Sequence, residues 1–185
     1  MPYLMDARDR VDELTDAAVY LINTEGIGSL TIRKIAAVAH LSPSSVISHL
    51  ENKQRVTDLV TKRIADRLDQ QLGSRVRYDG PLGLVPDDEA QELVRAWLAM
   101  CELARGDAAL AESVAYLEQG QRDLVQWACR LAPGDNVTLD AMQALVIGVW
   151  TAMCARIEPM TQARAVVVLR HTCAALGIEI TSEVD

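Results

Sequence analysis

Apolar side chains recur at three- and four-residue steps along almost the whole chain. Val11, Leu14, Ala18, Leu21 and Ile22 mark one face of a helix over residues 7–25. Gly26 is placed to stop it, and Gly28 keeps the connector loose. Ile32, Ile35, Ala36 and Ala39 form the buried stripe of a second helix, capped by Thr31 and running to about Val38. Ser42 is placed to cap a third, with Pro43 at its first position, where the missing N–H costs nothing. That helix is short, ending near His49, with Val46 and Leu50 inward. Asn52 is then placed to cap a longer helix over roughly 53–73, striped by Val56, Leu59, Val60, Ile64, Leu68 and Leu72. Gly73 and the stretch RYDGPLGLVPDD (77–88) are expected to break the chain. Beyond it, helices are expected at 89–105, with Leu93, Trp97, Met100, Cys101 and Ala104 on one face, and at 108–131, where Gly120 is a candidate break and Leu110, Val114, Leu117, Leu124, Trp127 and Leu131 point inward. The turn APGDN (132–136) leads to a helix from Thr138 to about Ile157, stopped by Pro159, and a last helix spans about 161–176. Val166–Val168 has β-propensity, but no partner strand is visible elsewhere. The expected fold class is all-α.

The segment TIRKIAAVAHLSPSSVISHLENK (31–53) places two short helices across a turn of a few residues, the pattern of a DNA-binding helix-turn-helix. Charge supports it. The chain carries a net −8, which argues against nonspecific coating of nucleic acid. Yet residues 26–72 hold seven basic and four acidic side chains, a local +3, between flanks of −4 (1–25) and −7 (73–185). A positive face on an acidic protein can engage phosphates while limiting nonspecific adhesion. The remaining chemistry is sparse. Half of the 185 residues are apolar, enough for a sizeable core, although Phe is absent. Cys101, Cys129, Cys154 and Cys173 lie far apart and match no metal-ligand spacing. The acidic start MPYLMDARDRVDE does not read as a secretory signal, and the uncharged, apolar run 141–155 is too short to span a bilayer. A reducing cytoplasm is the expected compartment. No Gly-rich phosphate loop, GxSxG, HExxH or paired-carboxylate motif appears, so no enzyme activity, cofactor or metal is expected.

The first sixty or so residues resemble the N-terminal domain of the TetR (tetracycline-repressor-like) family of transcriptional regulators. Four features carry the resemblance, in order: a helix ending in Glu25–Gly26; the pattern Thr31, Ile35, Ala36, Ala39; a turn ending in Leu41–Ser42; and a short helix closing with His49, Leu50, Asn52 and Lys53. The C-terminal part matches only in length and helical content. The resemblance implies a dimer that reads a palindromic double-stranded operator and answers to a small-molecule effector, with repression the usual mode. Where the family usually has Gly at the turn, this chain has His40, which must then accept a left-handed conformation. Ile47 stands where a phosphate-binding Tyr is usual, Leu50 where an aromatic is, and Pro43 where Lys is common. Affinity is therefore expected to lean on backbone N–H groups at helix ends, on Lys53, and on Arg33 or Lys34.

These readings divide the chain into a helix-turn-helix domain (1–53), a connecting helix (54–76) and a helical effector-binding and dimerisation domain (77–185). The DNA-facing candidates are Thr31, Arg33, Ser42, Pro43, Ser44, Ser45, Ile47, Ser48, His49 and Lys53. Hydroxyls can bond bases or phosphates, and Ile47 can touch a thymine methyl. The plainer alternative is the solvated face of a structural hairpin. Lys53 at a helix start opposes the helix dipole, a conflict a bound phosphate would resolve. Candidates for an effector pocket are Trp97, Met100, Cys101, Trp127, Trp150 and Met153, each of which could equally be ordinary core. The stretch ALVIGVWTAMCA (144–155) is apolar nearly all round and therefore expected to be covered on two sides. Leu145, Gly148, Thr151 and Ala152, with Ala165, Val168, Leu169 and Thr172 of the last helix, are the candidates for a homodimer interface. The rival is a TetR-like ligand- or partner-binding protein whose DNA reading is weak or lost.

Overall fold

The computed structural model describes the backbone of residues 7–50 and 53–180; the side chains of residues 7–9, 49, 50, 53 and 109 lie outside the described set. Eight α-helices and no strand occupy the described residues. They are α1 (Ala7–Glu25), α2 (Ile32–Val38), α3 (Pro43–Leu50), α4 (Lys53–Asp79), α5 (Asp88–Ala104), α6 (Ala108–Ala128), α7 (Asn136–Met153) and α8 (Gln162–Ala175). Short 3₁₀ turns occupy Ile27–Ser29 and Gly80–Leu84. The residues group into two compact units, Met1–Ile64 with Ala96–Leu117, and Ala65–Arg95 with Glu118–Asp185.

In the first unit α1, α2 and α3 pack against one another. The periodic residues do the packing: Leu14, Ala18, Leu21 and Ile22 of α1, Ile35 and Ala36 of α2, and Val46 of α3 are all buried. Arg63 Nη2 of α4 bonds Asp12 Oδ2 of α1 at 3.1 Å. Gly26, at φ 84°, reverses the chain after α1, and its N–H closes the last turn on Ile22 O at 3.0 Å. The connector expected to be loose is instead ordered: Ser29 is buried and its hydroxyl donates to Leu21 O at 3.3 Å.

In the second unit, α8 packs on α7 and on the Gly80–Leu84 turn. Leu139, Met142, Val146, Val149, Trp150 and Met153 of α7 and Ala165, Leu169 and Cys173 of α8 are buried. The indole N–H of Trp150 donates to Leu84 O at 2.9 Å. Gly83 lies so close to α4 that a Cβ there would sit 2.4 Å from Val76 N, a distance only glycine permits.

Four expected boundaries move. The fourth helix does not stop at Gly73 but continues to Asp79. Leu72 and Val76 on either side of the glycine are buried, and burying two such side chains outweighs the roughly 1 kcal/mol a helical glycine costs. α6 likewise runs through Gly120 unbroken and stops at Ala128 rather than 131. α7 starts two residues before Thr138, because Asp135 is its cap: Asp135 Oδ1 accepts the Thr138 N–H at 3.3 Å. It also ends at Met153 rather than Ile157. Its last carbonyls find other donors, Met160 N–H to Ala152 O at 2.9 Å and Gln91 Nε2 to Met153 O at 2.6 Å. With these orphan acceptors satisfied, nothing forces the helix onward. Val166–Val168 is helical, within α8.

Candidate nucleic-acid interface

The reading head is assembled by caps. Thr31 sits in extended conformation and its Oγ1 accepts the Lys34 N–H at 3.3 Å, starting α2. α2 is closed by His40, two residues past its end, whose φ is 54°. His40 N–H bonds Ala37 O at 3.3 Å and Leu41 N–H bonds Ala36 O at 2.8 Å, the paired bonds that close a helix through a left-handed residue. The expected left-handed histidine is thus present, at a cost of roughly 1–2 kcal/mol relative to glycine. Ser42 then starts α3: its Oγ accepts the Ser45 N–H at 3.1 Å and lies 2.9 Å from Ser44 Oγ.

Burial of Val46 sets the rotation of α3. With that residue inward, Pro43, Ser44, Ile47 and Ser48 face solvent and Ser45 is half-buried. Ile47 is 48% exposed, a large apolar side chain at the centre of a polar face. Ser48 Oγ donates to Ser45 O at 2.7 Å, so its proton is committed and it faces outward as an acceptor. Arg33 and Thr31 are exposed beside this face. Lys34, the other cation weighed from the sequence, is ion-paired with Glu25 at the end of α1. The pairing joins residues nine apart across a turn, so helical spacing alone does not signal it. Of the ten expected DNA-facing residues, Thr31, Arg33, Ser42, Pro43, Ser44, Ser45, Ile47 and Ser48 lie on α2, α3 or their caps; the side chains of His49 and Lys53 lie outside the described residues.

The other candidate sites separate on burial. Trp97, Met100, Trp150 and Met153 are buried, and Cys101 is half-buried. Trp127, expected inward, is 49% exposed. It lines a surface cleft of about 400 Å³ with Asp69, Gly73 and Tyr78. α6 ends one residue later and the chain reverses through Arg130, at φ 51°; Val125 and Ala128 of that last turn are buried, so Trp127 lies on the helix's outer side. On α7 and α8, Gly148 and Thr151 are exposed, and Leu145, Ala152, Val168 and Thr172 are half-buried. Ala165 and Leu169 are spent within the chain's own core. Burial beside Cys173 pushes the Cys129 thiol up to about 12, and burial also raises Cys154 and Cys173, so these three favour the unreactive protonated form. No helix of the described residues is long and apolar enough to cross a membrane, and no group of three metal-ligating side chains occurs among them.

No protein-family model matches the chain, and no curated protein does. Solved structures do match. A Rhodococcus sp. protein assigned to the TetR family of transcriptional regulators shares 21% identity, with 95% of this chain and 100% of that one covered at a TM-score of 0.74. A transcriptional regulator from Rhodococcus sp. Rha1 shares 16% identity over 92% of this chain and 98% of its own, at 0.77. The multidrug-binding protein EbrR, complexed with malachite green, shares 18% over 88% and 97%, at 0.65. At these identities the likeness is one of fold: the chain has the all-helical fold of TetR-type regulators.

Proposed function

We propose that this chain is a ligand-responsive transcriptional regulator that binds a palindromic DNA operator as a homodimer, in the manner of a repressor. The observation that carries the reading is the capped pair α2–α3, with Val46 inward and Ser44, Ile47 and Ser48 outward beside exposed Arg33. Each α3 enters a major groove, the hydroxyls and Ile47 meeting base edges while Arg33 and the capped helix starts meet phosphate. One eight-residue helix reads too few bases for useful specificity, so two copies are needed, with half-sites about one helical turn or more apart. The exposed small residues Gly148 and Thr151, continuous with Leu145, Ala152, Val168 and Thr172, supply the dimer face. Residues 1–53 read DNA, 54–76 connect, and 77–185 bind effector and dimerise; an effector acts through its differential affinity for the bound and released states. The likeness in fold to transcriptional regulators and to a multidrug-binding protein supports a small-molecule effector, and nothing in the reading calls for a cofactor or catalysis. The cytoplasm is the compartment in which such a protein meets DNA.

Two observations favour the rival, a TetR-like ligand- or partner-binding protein with weak DNA reading: Ile47 is exposed where a phosphate-binding Tyr is usual, and Lys34 is engaged by Glu25. Selection of bound sequences from a random DNA pool decides between the two. A regulator enriches an inverted repeat whose affinity falls steeply with salt; a chain that enriches nothing at low salt is not one.

A further inference from the structure

Asp58 and Lys62 stand one helical turn apart on α4, the spacing at which an acid and a base ordinarily close on each other. Here they do not. Asp58 Oδ1 accepts from Gln54 Nε2 at 3.1 Å and from the Ser113 hydroxyl of α6. Lys62 is exposed and makes no ion pair among the described residues. Between them and α6 lies a cleft of about 210 Å³, walled by Asp58, Thr61, Lys62, Ser113 and Tyr116. Thr61 is only 1% exposed, yet its hydroxyl has no hydrogen-bond partner. Such a group costs free energy unless something fills its valence. Tyr116, 57% exposed, adds an aromatic face.

We propose that this cleft binds a small zwitterion, a free α-amino acid with an uncharged side chain. The ligand's ammonium donates to Asp58 Oδ2 and Thr61 Oγ1, its carboxylate meets the Lys62 ammonium, and its side chain lies on the Tyr116 ring. The cleft carries one acid and one base, so a neutral molecule with both charges is complementary, whereas an amine or an acid alone leaves one head unpaired. Two groups one turn apart are also close enough to be spanned by the ammonium and carboxylate of a single amino acid. The volume suits that size class and is small for a drug-sized ligand. This goes beyond the regulator reading and does not depend on it.

The test is calorimetric titration of the full chain, without DNA, with L-alanine and L-leucine, against propylamine and propionate as single-charge probes. Millimolar or tighter binding of at least one amino acid is expected, with at least tenfold weaker binding of both single-charge probes. Lys62→Met and Thr61→Val are each expected to weaken the amino acid about tenfold. Thr61→Val fills the same space without the unpaired hydroxyl, so it should melt no lower than the parent and loss of binding cannot be assigned to unfolding. Absence of heat with both amino acids at 10 mM, propylamine binding as tightly as alanine, or indifference to both substitutions overturns the proposal and leaves water as the partner of Thr61. Because the readout contains no DNA, failure here is distinct from failure of operator binding.

Discussion

Gly83→Ala is the sharpest perturbation available in the second unit. A Cβ at this position would lie 2.4 Å from Val76 N, 2.5 Å from Arg75 C and 2.7 Å from Arg75 O. Ordinary contact between such atoms is about 3.5 Å, so the overlap is about 1 Å, and it is against helix backbone rather than a side chain that can swing away. α4 cannot yield easily, since Leu72 and Val76 pin it in the core. The Gly80–Leu84 turn must therefore retreat, taking with it the carbonyl that accepts the Trp150 indole N–H. Overpacking of this kind costs about 1–3 kcal/mol, and loss of a buried hydrogen bond adds about 1 kcal/mol. The expected loss is about 2–4 kcal/mol. Urea unfolding followed by tryptophan fluorescence, at one fixed protein concentration, reads it directly. With a slope of about 2 kcal/mol per molar urea, the midpoint should fall by about 1–2 M. Gly120→Ala is the matched control, since a Cβ there meets nothing within 4 Å. It should raise stability by up to about 1 kcal/mol through helix propensity. A Gly83→Ala midpoint within about 0.3 M of the parent, or both glycines responding alike, would refute the reasoning.

Four further outcomes are expected. Arg33→Ala should weaken binding to the selected operator about uniformly across related sequences and flatten the salt dependence by about one unit of slope; an unchanged slope places Arg33 away from phosphate. Ile47→Tyr, which restores a hydroxyl at the centre of the exposed α3 face, should tighten operator binding severalfold by fluorescence anisotropy, and weaker binding would show that the isoleucine itself touches base methyl groups. Gly148→Leu has open space in the single chain, so it should leave the helical content intact while shifting sedimentation toward monomer; an undisturbed dimer would move the interface elsewhere. Cys129 is held up at about 12 by burial and its neighbour Cys173. Its contribution to stability is full below the unfolded thiol value of about 8.5 and is lost as pH rises toward 12, at up to about 1.4 kcal/mol per pH unit. Cys129→Ala should remove that share of the alkaline slope in urea melts, and an identical slope in both proteins would count against it.

What the sequence determined by itself is local. Thr31 and Ser42 cap their helices as their side-chain chemistry predicts, because a cap bond joins residues two or three apart and needs no tertiary partner. His40 turns left-handed where glycine is usual, and Gly26 reverses the chain after α1, for the same reason. The α3 face was legible too, since one buried residue, Val46, fixes the rotation of so short a helix. Tertiary structure decided whatever depended on a distant competitor. The glycines at 73 and 120 do not break their helices, because flanking residues are buried. α7 stops at Met153, where Gln91, 62 residues earlier, takes up its last carbonyl. Trp127 is as apolar as Trp150, yet one lines an open cleft and the other is locked in the core by a bond to Leu84. Lys34 reads as a cation on a DNA-facing helix until Glu25 is seen beside it. The cleft at Asp58, Thr61 and Lys62 carries no sequence signal, because one of its walls, with the serine that bonds Asp58, comes from α6, 55 residues away. Short-range hydrogen bonding and periodicity are written in the residues; which of two equivalent side chains is buried, paired or left open is settled only when remote segments compete for them.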